Sequence, residues 1–163
     1  MAVDMFIVMG DKIKGETKDK EFAPKGGIDI LAWSWGMSQS GSFHMGSGGG
    51  AGKANVQDLS FTKYVDKASA PLMQNCLTGE HIPTIDLYVR KAGGSPKEYI
   101  HITLEKSLVS SVSTGGSGGE DMLTENVTLN FAKVTYEYFM QDEKGETSSA
   151  GKYTYDIEAN SQT

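Results

Sequence analysis

The chain has 163 residues, of which 38% are hydrophobic and 9% aromatic, a formal net charge of −6 and one cysteine, Cys76. That length suits a single domain, residues 1–163, with one core, and no apolar run approaches the ~20 residues that cross a bilayer. The charge repels nucleic acid and anionic lipid on average, and a lone cysteine excludes an intramolecular disulfide and a multi-cysteine zinc site.

A soluble product of a reducing cytoplasm is therefore expected, and MAVDMFIVMGDK, without a basic leader, does not read as a signal peptide. Val3, Met5, Ile7 and Met9 share one face of a first strand, which Gly10 ends. Residues 11–27 are rich in lysine, acid, Gly and Pro, and read as a solvated loop. Ile28 to Met37 reads as a second strand with its bulk on Leu31, Trp33, Trp35 and Met37, while Ser34 and Gly36 keep the other face small.

Residues 38–52 are dense in glycine and nearly free of apolar side chains, so a long loop is expected there. Lys53 to Val65 returns to alternation, with Leu59 and Phe61 inward. A short helix follows: Ser69 as cap, Pro71 in the first turn, Leu72, Met73, Cys76 and Leu77 at helical spacing, and Gly79 as terminator. Cys76 reads as a small buried hydrophobe, because no basic neighbour in sequence would activate it.

Ile85, Leu87 and Val89 alternate with Thr84, Asp86, Tyr88 and Arg90, a second run after the turn at Gly93–Pro96 places Ile100, Ile102 and Leu104 inward as a hairpin-like pair, and Leu108 to Ser113 prolongs it. Leu123, Val127, Leu129 and Phe131 then alternate with Thr124, Asn126, Thr128 and Asn130. From Val134 through Tyr136 and Tyr138 the bulk moves to even positions. Around Phe131–Lys133 the strand should bulge, bend or change neighbour. Residues 141–152 read as a third long loop, Tyr153–Ile157 as a last short strand, and Glu158–Thr163 as a frayed tail. Many short strands and one helix define the expected class: mainly β, a small β-barrel of two packed antiparallel sheets with one short flanking α-helix.

Chemical motifs do not survive inspection. In Gly46–Ala54 a phosphate loop would need glycine at Ser47 and a hydroxyl at Ala54, and the context is strand–loop–strand. Gly115-Gly116-Ser117-Gly118-Gly119 fits the nucleophile-elbow pattern literally, but a strand follows where a helix is required. His44, His81 and His101 lack the i, i+4 spacing of a helical zinc site. The Asn126-Val127-Thr128 sequon has no route to glycosylation without a signal peptide. No catalytic residue, cofactor site or metal site is assigned.

IDILAWSWGMSQSGS (28–42), GGGAGKANVQDLSFTKYVDKAS (48–69), LYVRKAGG (87–94) and SSVSTGGSGGEDMLTENVTLNFAKVTYEY (110–138) together resemble the haemolysin-coregulated protein (Hcp) family of type VI secretion systems. The resemblance implies a hexameric ring, rings stacked into the inner tube of a contractile injection machine, and a fold akin to phage tail tubes. Its implied partners are further copies of itself, a contractile sheath, a spike protein and small effector proteins in the lumen. Synthesis in the cytoplasm and export through the type VI system follow. A tube subunit and a lumen-binding carrier of effectors are the two readings it supports, and they can coexist; an enzyme would need a catalytic extension after Thr163. Ser34 is the lumen and cargo candidate. The ring-stacking candidates are Gly46, Ser47, Gly48, Gly49, Gly50 and Gly52 in the first glycine loop. Gly115, Gly116, Gly118, Gly119, Glu120 and Asp121 in the second are further interface candidates.

Overall fold

The computed structural model describes residues 3–41, 51–91 and 96–162, the side chains of 51–53 excepted. In chain order the elements are β1 (Val3–Val8), β2 (Ile28–Asp29), β3 (Ala32–Ser34), β4 (Met37–Gly41), β5 (Ala51–Val56), β6 (Leu59–Tyr64), α1 (Ser69–Thr78), β7 (Ile82–Lys91), β8 (Lys97–Thr114), β9 (Thr124–Gln141), β10 (Thr147–Asp156) and β11 (Ser161–Gln162). Pairing runs β11-β10-β9-β8-β7-β1-β2, while β6 pairs with β9 and β3 with β6; β4 and β5 form a separate ribbon.

Two strands build both layers. β8 and β9 are 18 residues each, and their distal halves, Lys97–Glu105 and Lys133–Gln141, lie in a broad layer with β7, β1 and β10. Their proximal halves join β6 and β3 in a four-stranded layer ordered β3-β6-β9-β8. At the junction Lys106 adopts the left-handed conformation, φ 52. The buried positions of β8 switch there from Ile102 and Leu104 to Ser107 and Val109, as those of β9 do from Phe131 to Val134. The slip anticipated at Phe131–Lys133 is thus real, and it is also a change of neighbour: β9 leaves β6 after Leu129 and takes up β10 at Lys133.

Folding the strands over buries one core, in which Ile7, Leu87, Ile102 and Leu104 of the broad layer meet Leu59, Phe61, Val127 and Leu129 of the other. Burying each such side chain is worth roughly 1.5–3 kcal/mol. The expected hairpin is present, and its register sets Ile85, Leu87 and Val89 opposite Leu104, Ile102 and Ile100. The helix ends at Gly79, whose φ of 71 suits glycine and lets its N–H reach the Asn75 carbonyl at 2.9 Å. Among the described residues the barrel does not close, because the pairing path has ends at β11, β2 and β3.

Several sequence expectations need correction. Ile28 to Met37 is three strands, because Ile30 N–H bonds Met5 O while Leu31 N–H bonds Thr62 O, so the chain crosses between layers there. Leu31 and Met37 are consequently exposed, and Trp33 and Trp35 only half-buried against the core. The 38–52 loop is partly the β4–β5 ribbon, and the 141–152 loop shrinks to 142–146 because β9 and β10 run further than alternation suggested. The tail turns back as β11 onto Tyr155 and Asp156. Ser69 lies inside the helix, Leu77 points to solvent and Cys76 is half-buried.

The 11–27 segment is more than solvated charge. Ile13 and Phe22 are buried, and Phe22 stacks on Phe6 with centroids 4.5 Å apart and meets Tyr88 at 4.9 Å. Arg90, itself buried, lies over both phenyl rings and pairs with Asp19, with Glu21 at 3.2 Å and with Asp4 at 3.7 Å. Burial alone would raise the Asp19 pKa, but the Arg90 bond and the N–H groups of Phe22 and Glu21 outweigh it and hold the carboxyl below its ordinary value.

A second charged group is wholly enclosed. Lys63 of β6 faces its register partner Glu125 of β9 in an ion pair, and both are 0% exposed. Asp66 lies 2.8 Å from the same ammonium, and Ser69 donates to Glu125 Oε1 at 2.6 Å, which ties α1 to the two strands. Glu125 Oε2 has no partner among the described residues.

Two outcomes follow from these clusters. Glu125→Ala leaves the buried ammonium with only the partly exposed Asp66 and should cost about 3 kcal/mol in urea unfolding, more than the joint replacement Lys63→Met with Glu125→Leu. Asp19 has a depressed folded pKa, so its contribution is present above the unfolded value of about 4 and is lost as pH falls through the folded one. Thermal melts from pH 6 to pH 2 should show a smaller acid-induced loss for Asp19→Asn than for the wild type.

Candidate assembly surfaces

The four-stranded layer has two unlike faces because its strands alternate strictly. Inward lie Trp33, Phe61, Lys63, Val127 and Leu129; outward lie Ser34 of β3, Ser60 and Thr62 of β6, Asn126 and Thr128 of β9, and Ser111 and Ser113 of β8. These outward residues are small and uncharged. Ser34 is exposed opposite Ser60, over a shallow depression of about 180 Å³ that Ala32, Thr62 and Asn126 also line.

The face is held by its own hydrogen bonds. Thr62 donates to Asn126 Oδ1 at 2.7 Å, and Asp58 at one end accepts from Ser110 at 2.9 Å and Asn130 at 2.9 Å. Each lateral margin of the layer is an edge: among the described residues β3 pairs only with β6, and β8 beyond Ser107 pairs only with β9. Such edges carry unpaired N–H and C=O groups that invite another chain.

The two glycine loops leave the layer from opposite ends. Gly115, Gly116, Gly118, Gly119, Glu120 and Asp121 are exposed in the turn from β8 to β9, beside Tyr64 and Val65, whose N–H bonds Leu123 O at 2.9 Å. A Cβ on Gly116 would fall 2.5 Å from Leu123 Cδ2, while Cβ atoms on Gly115, Gly118 and Gly119 would meet nothing within 4 Å. The β4–β5 ribbon departs from the other end, after Gly36. Gly46, Ser47, Gly48, Gly49 and Gly50 lie outside the described residues, and Gly52 belongs to β5.

Residues with chemical potential do not combine. His101 Nε2 contacts Asp86 Oδ1 at 2.9 Å and Thr103 Oγ1 at 3.3 Å, so one ring nitrogen serves both groups and no hydroxyl–imidazole–carboxylate relay is formed. Its ring stacks on Tyr88, whose phenol is pushed up to about 12 by burial and by Asp86, Glu98 and Glu21. His81 is exposed beyond α1, and His44 is outside the described residues. Among the described residues no three His, Cys, Asp or Glu side chains converge as metal ligands, and no helix is long and apolar enough to cross a membrane.

Alternation had contained a signal that composition obscured: Lys63 and Glu125 occupy inward positions in phase with Phe61 and Val127. Nothing in the sequence marked Asp58 as the tie between β8 and β9.

Residues 6–138 match the profile of the family described as "Type VI secretion system effector, Hcp". The chain is 61% identical over 166 residues to Protein hcp1 of Pseudomonas aeruginosa, covering 99% of each. A solved type six secretion system protein superposes with a TM-score of 0.90 at 28% identity, covering 99% of this chain and 100% of the other. Hcp1 from Salmonella typhimurium superposes at 0.78 and 36% identity over 100% of both chains.

Because Ser34 is exposed on a polar face, Ser34→Gln neither overpacks the core nor buries an unpaired amide. Its unfolding free energy in urea should lie within about 0.5 kcal/mol of the wild type; unfolding of the variant would place the residue in the core.

Proposed function

This chain belongs to the Hcp family of type VI secretion system tube proteins, and we propose that six copies close into a ring whose channel is lined by the polar face of β3-β6-β9-β8. Proteins of this family form ring assemblies and are secreted through the type VI system. The observation that carries the closure is the four-stranded layer itself, which has one apolar face in the core, one uncharged polar face outside, and an unpaired strand on either side. Joining β3 of one copy to β8 of the next satisfies both edges and turns separate layers into one continuous wall.

Rings then stack into a tube through the two glycine-rich segments, inside a contractile sheath and behind a spike protein. Chemistry is not required of such a subunit; its work is to present a smooth, uncharged bore and a stiff wall. A second reading coexists with the first. Small effector proteins are carried in the bore, and the depression beside Ser34, lined by Ser60, Thr62 and Asn126 together with Ala32, Trp33 and Phe61, supports it because it admits close contact without charge.

Light scattering at micromolar concentration should return six copies of the 17.6 kDa chain, about 106 kDa. A stable single-chain mass would overturn the ring. For the carrier reading, Ser34→Gln rings of unchanged melting temperature should retain less of at least one co-expressed effector on affinity capture, and equal retention of every effector tried would sink it.

A further inference from the structure

On the broad layer, β1 stops short of the start of its neighbour β7. Their register runs from Val3 opposite Lys91 to Val8 opposite Asp86, so Ile82–Ile85 pair with β8 on one side, Ile82 with Ser107 and Ile85 with Leu104, and have no β1 partner on the other. The chain instead turns away at Gly10, φ 61, and folds back so that Met9 bridges Ile13. A cleft of about 390 Å³ is left between that turn, the start of β7 and the end of α1. Met9, Ile13 and Ile82, all buried, form its apolar base. Asn75 of α1 lines the cleft at 9% exposure; its backbone carbonyl accepts from Gly79, but among the described residues its carboxamide has no hydrogen-bond partner. A nearly buried amide left unpaired is costly, and a group entering the cleft would relieve that cost.

We infer that this cleft binds a short extended segment of a partner protein, about three residues carrying one uncharged apolar side chain, which adds to β7 where β1 is missing. The strand edge selects a strand: the main-chain groups that Ile82–Ile85 turn away from β8 are matched by those of another extended chain, and three residues span roughly 10 Å. The Asn75 carboxamide carries one carbonyl and one amino group, the same pair that a peptide bond offers, so it can bond the main chain of the segment from the other wall. Charge also selects. Lys12 and Glu80 at the mouth pair with each other at 2.8 Å, so neither calls for a counter-charge on the ligand, and an anion would meet Asp11 and Glu80 together. None of the lining residues belongs to the outward face of β3-β6-β9-β8, so the inference stands independently of the ring reading.

The test uses the full chain with isotope-labelled Met and Ile methyl groups, followed by NMR as the peptide acetyl-Gly-Leu-Gly-amide is added to millimolar concentration. Methyl signals of Met9, Ile13 and Ile82 should shift saturably while that of Ile102, in the core, stays still. The same peptide N-methylated at leucine keeps the apolar side chain but loses a main-chain donor, and should bind more weakly by roughly two- to tenfold, the worth of one hydrogen bond. Asn75→Ala, at unchanged melting temperature, should weaken the unmodified peptide by a similar factor. Absence of a saturable shift at these methyl groups would overturn the inference. Equal binding of the N-methylated peptide would also overturn it, since the cleft would then take an apolar group without strand addition. If Asn75→Ala fails to fold, the comparison of the two peptides on the wild type decides alone.

Discussion

Everything in this fold depends on the shared bend of β8 and β9. At Lys106 and Ala132 both strands change which side faces the core, so two 18-residue strands serve first as the middle of a broad layer and then as half of a narrower one. A left-handed lysine costs about 1–2 kcal/mol relative to ordinary strand geometry, and the surrounding core offsets it many times over. Continuity across the bend means that load applied to one layer passes along covalent backbone into the other, which suits a wall element.

The pattern of strands was legible where one face is wholly buried. Ile85, Leu87 and Val89 with Ile100, Ile102 and Leu104 could be read as the inward positions of a hairpin, and so could the phase slip after Phe131, because a period of two that breaks within three residues leaves few geometric explanations. Strand ends were not legible. Ser148 to Lys152 are exposed in β10 and their small or polar character imitates a loop; what extends the strand is the ladder to Glu137–Met140, a tertiary fact. Likewise Leu31, Trp33, Trp35 and Met37 alternate well yet do not form one strand, since the backbone hydrogen bonds of Ile30 and Leu31 go to different layers. Phe22 was hidden by composition: one buried ring amid lysines and acids decides where residues 11–27 lie, and hydrophobic averaging over that window misses it.

The candidate assembly surface was only half legible. Alternation put Ser34 opposite the tryptophans, and the structure extends that single residue into a face of Ser60, Thr62, Asn126, Thr128, Ser111 and Ser113 drawn from three other strands. No local reading could have joined them, because their register is set by β6 pairing with β9 across more than sixty residues of chain. Charge also misled. Lys63 and Glu125 read as solvent residues by type, while their phase assigns them to the interior, where each is tolerated only because the other, with Asp66 and Ser69, is within reach.

That enclosed pair bears on why the outward face can be so bland. A sheet whose exposed side offers only serine, threonine and asparagine gains little side-chain discrimination between registers, since a slip would exchange one small polar group for another. Register must then come from the buried side, and Lys63 opposite Glu125 supplies it with high contrast: displacing β6 by two residues along β9 would keep the alternation but separate two buried charges. Thr62 bonding Asn126 and Asp58 gripping Ser110 and Asn130 repeat the same choice from the outer side. The layer therefore keeps an outward face with few ionised groups, Asp58 at its end among them, by placing its most specific electrostatics one side chain deeper, where solvent does not reach the pair.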